Sequence, residues 1–229
     1  MCPDTAIFYQ IFGNFDFLLY LCGQIVSIMA KQSSIIVPEG CTRVLLHACC
    51  APCSSAIVEW LLAHEIEPVI YYFNPNIYPQ EEYEIRKNES KRHAESLGVR
   101  WIDEDYDHAQ RREAVCGLEH EPERGKRCEQ CFYIRLLATA KKAQELSIPF
   151  FATTLASSRW KNLEQVNRAG EAAEKAVNSS PNGGSGPETL RFWAQNWRKD
   201  GLQDRRNALL KEYEFYNQQY CGCEFSVRN

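Results

Sequence analysis

The stretch Leu45-Leu46-His47-Ala48-Cys49-Cys50-Ala51-Pro52-Cys53-Ser54-Ser55 decides the fold of this chain. It continues an apolar run that starts at Val44, which predicts a strand buried on both faces. A helix is expected over Ala56–Ala63, with Ser54 or Ser55 as its cap. Three cysteines therefore fall between a strand and a helix N-terminus, where free N–H groups favour thiolates. In parallel sheets, ligands also bind at this carboxyl edge.

From Thr42 onward, predicted strands and helices alternate along the chain. The strands are Arg43–His47, Pro68–Phe73, Val99–Ile102 and Pro149–Leu155. The helices are Ala56–Ala63, Glu81–Leu97, Phe132–Ala143, Asn162–Val177 and Arg205–Tyr216. This alternation predicts an α/β fold, in which helices flank a parallel sheet built with right-handed crossovers.

The composition limits the classes of function. The chain has 229 residues, 11 cysteines and a net charge of -4 at pH 7. A chain that is acidic overall can contact nucleic acid only through a local basic patch. No signal peptide is recognisable, so we expect a cytoplasmic protein. Many thiols in a reducing compartment favour metal or redox chemistry over a disulfide scaffold.

Residues 1–40 do not follow the regular pattern. They are rich in aromatic residues but are interrupted by Asp4, Asn14 and Asp16. The uncharged run Phe17–Ala30 is too short to span a bilayer comfortably. We interpret residues 1–40 as an N-terminal extension, non-native or disordered, with an interfacial membrane anchor as the alternative. Residues 41–229 form the expected functional domain.

Four cysteines form two closely spaced pairs, the adjacent Cys49 and Cys50, and Cys128 with Cys131 at a predicted helix N-terminus. Four thiolates are typical of a structural zinc site or of an iron–sulfur cluster. Adjacent cysteines direct their sulfurs apart, which fits different irons of a cubane better than one small ion, and this modestly favours the cluster. Cys53 lies in the same turn, where it either lines the site or binds a second ion, for which iron is the candidate.

Near the C-terminus, a single glycine separates two further cysteines in Cys221-Gly222-Cys223. Their sulfurs can close a small, strained ring, and strained disulfides are the easily reduced ones that serve in regulation or catalysis. The alternative is a pair of ordinary terminal thiols.

These motifs resemble those of the epoxyqueuosine reductases of the QueH type. The resemblance runs from about Val44 to Ser226 and passes through several rare residue types. The motifs that carry it include Leu46-His47-Ala48-Cys49-Cys50-Ala51-Pro52-Cys53, Tyr72-Phe73-Asn74-Pro75-Asn76-Ile77, Glu121-Pro122-Glu123-Arg124-Gly125-Lys126-Arg127-Cys128-Glu129-Gln130-Cys131-Phe132, Asn196-Trp197-Arg198-Lys199 and Tyr216-Asn217-Gln218-Gln219-Tyr220-Cys221-Gly222-Cys223-Glu224-Phe225-Ser226.

The resemblance implies a single domain of the HUP-like (adenine nucleotide alpha hydrolase-like) type with a [4Fe-4S] cluster. The cluster ligands that it implies are Cys49, Cys50, Cys128 and Cys131. It also implies a redox-active disulfide between Cys221 and Cys223. The implied activity is reduction of epoxyqueuosine to queuosine at the wobble position of tRNA, with electrons from a donor that the sequence does not identify.

Other features stay open at this point. Candidate proton donors are Asp105, Asp107, Glu121 and Glu123, although each is more often a solvated or helix-capping carboxylate. His47 is expected to be a hydrogen-bonded residue at a strand end and not a ligand. Two other functions remain as alternatives, a zinc-stabilised RNA-binding module without redox turnover and a sulfur-transferring tRNA-modifying enzyme.

The implied RNA substrate needs its own contacts. A base of an anticodon loop can be splayed out and stacked on an aromatic side chain. Paired cations such as Arg111-Arg112 and Arg198-Lys199 are either solvated helix faces or parts of a phosphate track. Only their gathering around the cysteines would indicate the track.

Overall fold

The computed structural model describes residues 33–104, 106–180 and 189–226. A five-stranded sheet lies at its centre, with the strand order β3-β2-β1-β4-β5 and parallel pairing throughout. The strands are β1 Arg43–His47, β2 Glu67–Tyr72, β3 Trp101–Asp103, β4 Phe150–Thr153 and β5 Arg191–Phe192. The predicted α/β fold with a parallel sheet is confirmed.

Helices connect the strands and cover the sheet. They are α1 Ala51–Ala63, α2 Gln80–Ser96, α3 His108–Ala114, α4 Lys126–Glu145, α5 Leu163–Asn178 and α6 Leu202–Glu212. Short 3-10 helices follow at Thr154–Ser157 and Glu224–Ser226. Within the described residues, no helix combines the length and the apolar character needed to cross a membrane.

Strand β1 is the centre of the core. Val44, Leu45 and Leu46 are fully buried, as expected for a strand that is covered on both faces. It pairs with β2 on one side and with β4 on the other. Because the three strands are parallel, the loops that follow them meet at one edge of the sheet.

Helix α1 begins earlier than predicted. Its first residue is Ala51, its N-cap is Cys50, and no side chain caps it. Ser54 lies inside the helix, and its hydroxyl donates to the Cys50 carbonyl at 3.1 Å. The predicted serine cap is wrong because the helix already starts at Ala51, with Pro52, whose φ is fixed near the helical value, in its first turn. This early start places Cys53 in that first turn.

The compact unit that contains the sheet starts at Ile35. The Ile35 amide donates to Asp200 Oδ2 at 3.1 Å, and the Trp193 indole donates to the Ile36 carbonyl at 3.0 Å. Residues 1–32, most of the predicted extension, lie outside the described residues. The predicted boundary at residue 41 therefore stays a prediction.

Close packing between α5 and β5 yields a stability test. A Cβ atom on Gly170 would lie 2.3 Å from the ring of Phe192. Ala is favoured over Gly in a helix by about 1 kcal/mol, whereas overpacking costs about 1–3 kcal/mol. We therefore predict that Gly170→Ala lowers the free energy of unfolding in urea titrations.

Two variants isolate the steric cause. Glu171→Ala changes the exposed neighbouring position and should shift the unfolding free energy by no more than about 0.5 kcal/mol. In a Phe192→Ala background the clash is absent, so Gly170→Ala should become stabilising. A stabilising effect of Gly170→Ala in the unaltered chain would contradict this packing.

Candidate metal and thiol site

The turn that follows β1, residues 48–53, is here named the cysteine turn. Asn74, in the loop after β2, is buried and holds this turn in place. Its Nδ2 donates to the Ala48 carbonyl at 2.9 Å, and its Oδ1 accepts from Arg135 of α4 at 2.5 Å. One amide side chain thus ties the cysteine turn to a second loop and to α4.

Three sulfurs gather in the cysteine turn. The Sγ atoms of Cys49, Cys50 and Cys53 all lie within 4.8 Å of one another, and those of Cys49 and Cys50 are 3.8 Å apart. Thr154, just after β4, accepts from the Cys49 amide at 3.2 Å. The thiols are free, and the group could bind a metal ion.

The three thiols differ in how readily they ionise. Hydrogen bonds from Cys50 and Cys53 hold the pKa of Cys49 well below its ordinary value. Burial raises the pKa of Cys50, and the hydrogen bond to Cys49 raises the pKa of Cys53 to about 11. Additional thiolates would need a compensating cation, so this donor set suits a metal centre.

Cys128 and Cys131 lie in the first two turns of α4, at a helix N-terminus as predicted. The Arg124 amide lies 3.3 Å from Cys128 Sγ. Cys128 packs against the same hydrophobic cluster that contains Cys49 and Cys50. Among the described residues, however, the group of sulfurs within 4.8 Å does not extend to this pair. The four-cysteine ligand set stays a prediction.

Residues 216–226, the C-terminal segment, cover the cysteine turn. Gln218 Nε2 donates to Cys50 Sγ at 3.0 Å and lies 3.9 Å from Cys53 Sγ. Its Oε1 is buried and has no hydrogen-bond partner among the described residues. A polar atom in this state offers an acceptor to a group that binds in the site.

The loop after β2 fixes the two cysteines of the C-terminal segment. The Tyr78 amide donates to the Gly222 carbonyl at 2.8 Å, and Asn76 Nδ2 donates to the Cys221 carbonyl at 3.4 Å. Gly222 has φ +96°, and a Cβ atom there would lie 2.8 Å from Ile77 Cγ1. Glycine is required by both the backbone conformation and the close approach.

A buried arginine of α2 binds the first part of the C-terminal segment. Arg86 is 3% exposed and forms an ion pair with Glu82 at 2.5 Å. Its Nη2 also donates to the Tyr220 carbonyl at 3.2 Å. The Tyr216 hydroxyl donates to the other Glu82 oxygen at 2.8 Å. The ion pair is thus shared between α2 and the segment.

A second buried arginine binds the last part of the segment. Arg111 of α3 is 2% exposed, and its Nη2 donates to Cys223 Sγ at 2.9 Å. Its Nη1 lies 3.4 Å from Glu224, which His108 also contacts at 3.0 Å. For Arg111 the interpretation as a solvated cation is wrong, because its neighbours Glu224 and Cys223 come from a distant part of the chain.

The two cysteines of the C-terminal segment differ in exposure. Cys221 is exposed and Cys223 is buried, and both are free thiols. A hydrogen bond from the Cys223 thiol, together with the Lys161 cation, lowers the pKa of Cys221. The same hydrogen bond raises the pKa of Cys223. Cys221 is therefore the thiol of the pair that ionises more readily.

Lys161 is a site residue that the sequence reading missed. Burial opposes its charge, yet the thiols of Cys49, Cys53 and Cys221 raise the pKa of its ammonium group. It thus supplies positive charge between the cysteine turn and the C-terminal segment. A single lysine in a loop gives no sequence signal of this role.

His47 is a structural residue, as expected. Its Nδ1 lies 2.9 Å from Thr153 Oγ1, and its Nε2 lies 3.2 Å from the Phe73 carbonyl. Burial lowers the pKa of His47 to about 3, so the ring is neutral. Both nitrogens already have partners, which leaves none for a metal.

The candidate acids have mostly backbone roles. Asp107 caps α3 by accepting from the Gln110 amide at 2.8 Å. Glu121 accepts from the Lys126 amide at the start of α4, at 3.2 Å. Asp105 lies outside the described residues. Asp107 is therefore a helix-capping carboxylate, as expected. Glu121 likewise accepts from a backbone amide at a helix start.

Comparison with known proteins identifies a family that this chain matches over most of its length. The family model described as "Epoxyqueuosine reductase QueH" matches residues 44–229. A protein of that name from Haemophilus influenzae is 42% identical over 199 residues, covering 86% of this chain and 77% of the relative. One from Acinetobacter baylyi is 42% identical over 193 residues, covering 84% of each. One from Thermotoga maritima is 32% identical over 187 residues, covering 80% and 90%.

A solved structure gives a more distant match. It is the U34-tRNA thiolase NcsA from Methanococcus maripaludis with its [4Fe-4S] cluster, at 12% identity and a TM-score of 0.44. The match covers 85% of this chain and 62% of the thiolase chain. A similarity this low carries no argument about the site.

Asn74 provides the test of how the cysteine turn is held. We predict that Asn74→Ala lowers the free energy of unfolding by about 2–3 kcal/mol, because it leaves the buried Arg135 guanidinium without its acceptor. Asn207→Ala is the matched control, since Asn207 also accepts from an arginine, at 2.9 Å, but on the exposed surface. Its effect should stay below about 0.5 kcal/mol. Equal effects of the two substitutions in urea titrations would contradict the anchoring role.

Proposed function

The chain belongs to the epoxyqueuosine reductase QueH family, and from this we propose that it reduces epoxyqueuosine to queuosine at the wobble position of tRNA. The named relatives are reductases, so neither the zinc-stabilised RNA-binding module nor the sulfur-transferring enzyme is favoured. We place the reaction in the cytoplasm, where tRNA is available as substrate.

One contact supports the proposal most strongly. Gln218 of the C-terminal segment donates to Cys50 Sγ at 3.0 Å, which brings the segment that carries Cys221 and Cys223 to the cysteine turn. A reductase of this kind needs a source of electron pairs next to its metal-binding thiols. The Gln218 contact supports such proximity, because Gln218 lies three residues before Cys221.

The Cys221/Cys223 dithiol can supply the electrons and protons that the reaction consumes. Converting the epoxide to an alkene takes two electrons and two protons and releases water. When Cys221 and Cys223 close into a disulfide, two S–H bonds break, one S–S bond forms, and two electrons and two protons become available. An external thiol or electron-transfer protein must then reduce the disulfide before the next turnover.

The donor set fits the cofactor that the family resemblance implies. Cys49, Cys50, Cys128 and Cys131 would hold the [4Fe-4S] cluster, with Cys53 left for a second iron. A bound cluster of this type supplies one-electron transfer. Around it, Lys161 would offset the negative charge of the thiolates, and Gln218 would shield the sulfurs from solvent.

The roles of the two dithiol cysteines follow from their surroundings. Arg111 holds the buried Cys223 sulfur at 2.9 Å, whereas Cys221 is exposed. Cys221 therefore presents the reactive sulfur, and Cys223 completes the disulfide behind it. Arg111 acts as a positioning residue.

Anaerobic purification tests the proposal. We expect a brown protein that contains iron and sulfide, loses its colour with dithionite, and converts epoxyqueuosine in tRNA to queuosine. A colourless protein that holds only zinc and leaves the tRNA unchanged would exclude the reductase.

Metal content distinguishes the ligands from the other thiols. Replacing Cys49, Cys50, Cys128 or Cys131 by Ala should each sharply lower the iron content, because a cluster needs all its thiolates. Cys116→Ala is the matched control, since Cys116 is exposed and has no proposed role. A variant whose iron content and colour match those of the unaltered chain identifies a residue that is not a ligand.

Turnover tests the dithiol separately. Cys221→Ser and Cys223→Ser should each abolish multiple turnover while iron content and visible spectrum stay unchanged. The double variant should be no worse than either single one, because a dithiol fails when one half is missing. Normal multiple turnover in both single variants would show that the pair is structural.

A further inference from the structure

Trp160 differs from the other tryptophans of the chain. Its side chain is 76% exposed, whereas Trp193 and Trp197 are buried and Trp60 and Trp101 are half-buried. A single exposed aromatic residue is common on protein surfaces and means little by itself. Two features distinguish Trp160: its position beside the thiol site and the hydrogen bonds that hold its backbone.

Trp160 lies in a segment, residues 157–161, that contacts the thiol site at both ends. The Ser157 hydroxyl donates to the Cys53 carbonyl at 3.4 Å. At the other end, the Lys161 ammonium group interacts electrostatically with the thiols of Cys49 and Cys53. Consecutive Cα atoms are about 3.8 Å apart, so the exposed indole lies at the rim of the site.

Two arginines hold the backbone on both sides of this indole. Arg124 Nε donates to the Trp160 carbonyl at 2.9 Å. Arg198 Nη2 donates to the carbonyls of Ser158 at 2.6 Å and Lys161 at 2.9 Å. The segment is therefore fixed while its aromatic face is open, and such preorganisation lowers the entropic cost of binding.

The same arginines make this rim electropositive. Burial, together with the Arg124 cation, lowers the pKa of Arg198. Among the described residues, neither guanidinium forms an ion pair with a carboxylate. Uncompensated cations beside an exposed aromatic ring suit a nucleic-acid strand, because phosphates and bases then both find partners.

We propose that Trp160 is a stacking platform for the base next to the wobble base of the anticodon loop, with Arg124 and Arg198 attracting the adjacent phosphates. The inference rests on the proposed function for the identity of the RNA. To reach the thiols, the wobble base must leave the stack of the loop. Its neighbour then loses a stacking partner, and the indole at the rim replaces that partner.

Binding of RNA tests this without turnover. The probe is a fluorophore-labelled anticodon stem-loop that carries epoxyqueuosine, titrated with anaerobically purified full chain. Trp160→Ala should weaken binding by about 10-fold or more, because the loss of one base–aromatic stack has an effect of this size. Trp160→Phe keeps an aromatic face and should bind within about 3-fold of the unaltered chain.

A second readout reports the stack directly. With unlabelled stem-loop, tryptophan emission of the unaltered chain should be quenched, and Trp160→Phe should lose most of this quenching while it still binds RNA. Leu62→Ala is the matched control, since Leu62 is 41% exposed but lies at the opposite end of α1 from the cysteine turn. It should leave affinity and quenching unchanged.

The outcomes separate the platform from the reductase. If Trp160→Ala binds the stem-loop as tightly as Leu62→Ala, the platform is excluded, whether or not the protein reduces tRNA. If Trp160→Ala instead changes the sedimentation of the protein while its RNA affinity stays unchanged, the indole serves a protein contact and the proposal is wrong. If RNA binding and tryptophan quenching are as expected but epoxyqueuosine is not reduced, the stacking platform is supported and the proposed activity is excluded.

Discussion

The hydrogen bond from Gln218 to Cys50 Sγ joins residues that are 168 positions apart, and the arrangement of the site depends on it and on the contacts beside it. Two buried arginines stabilise this docking. Arg86 and Arg111 lie on helices of the body, and both have partners on the C-terminal segment. A buried charge that loses its charged partner costs about 3–5 kcal/mol, and this applies to Arg111, whose partner Glu224 lies on the segment. Arg86 keeps Glu82 on its own helix and would lose only the Tyr220 carbonyl. The body and the segment are therefore stable together, and Gln218 keeps the segment in contact with the cysteine turn.

The parallel sheet explains why so many distant motifs converge. The loops after β1, β2 and β4 leave the same edge, and each contributes to the site. The first provides the thiols, the second anchors both the cysteine turn and the C-terminal segment, and the third leads to Lys161 and Trp160. Asn74 joins the first two loops to α4, whose first two turns carry Cys128 and Cys131. A change in the register of one strand would thus displace several parts of the site together.

Sequence reasoning predicted what depends on local pattern. The apolar run of β1, the alternation of strands and helices, and the position of Cys128 at a helix start were all readable from spacing. The two-residue strand β5 and the short helix α3 were missed because so few residues carry little periodicity. Lys161 was missed as a site residue, and Arg111 was named only as a solvated or phosphate-binding cation, because a buried cation and a solvated one look identical in sequence. Their roles depend on long-range contacts, which only the folded chain reveals.

We propose that Cys221 and Cys223 provide the electron pair. Identifying which cysteines are oxidised after the reaction tests this directly. Anaerobic protein in its dithiol form is mixed with excess epoxyqueuosine tRNA without added reductant, then denatured and alkylated. Peptide mass spectrometry then maps the modified cysteines. We expect one Cys221–Cys223 disulfide for each queuosine formed, while the other cysteines are all found alkylated. Formation of queuosine with both Cys221 and Cys223 still fully alkylated would contradict it.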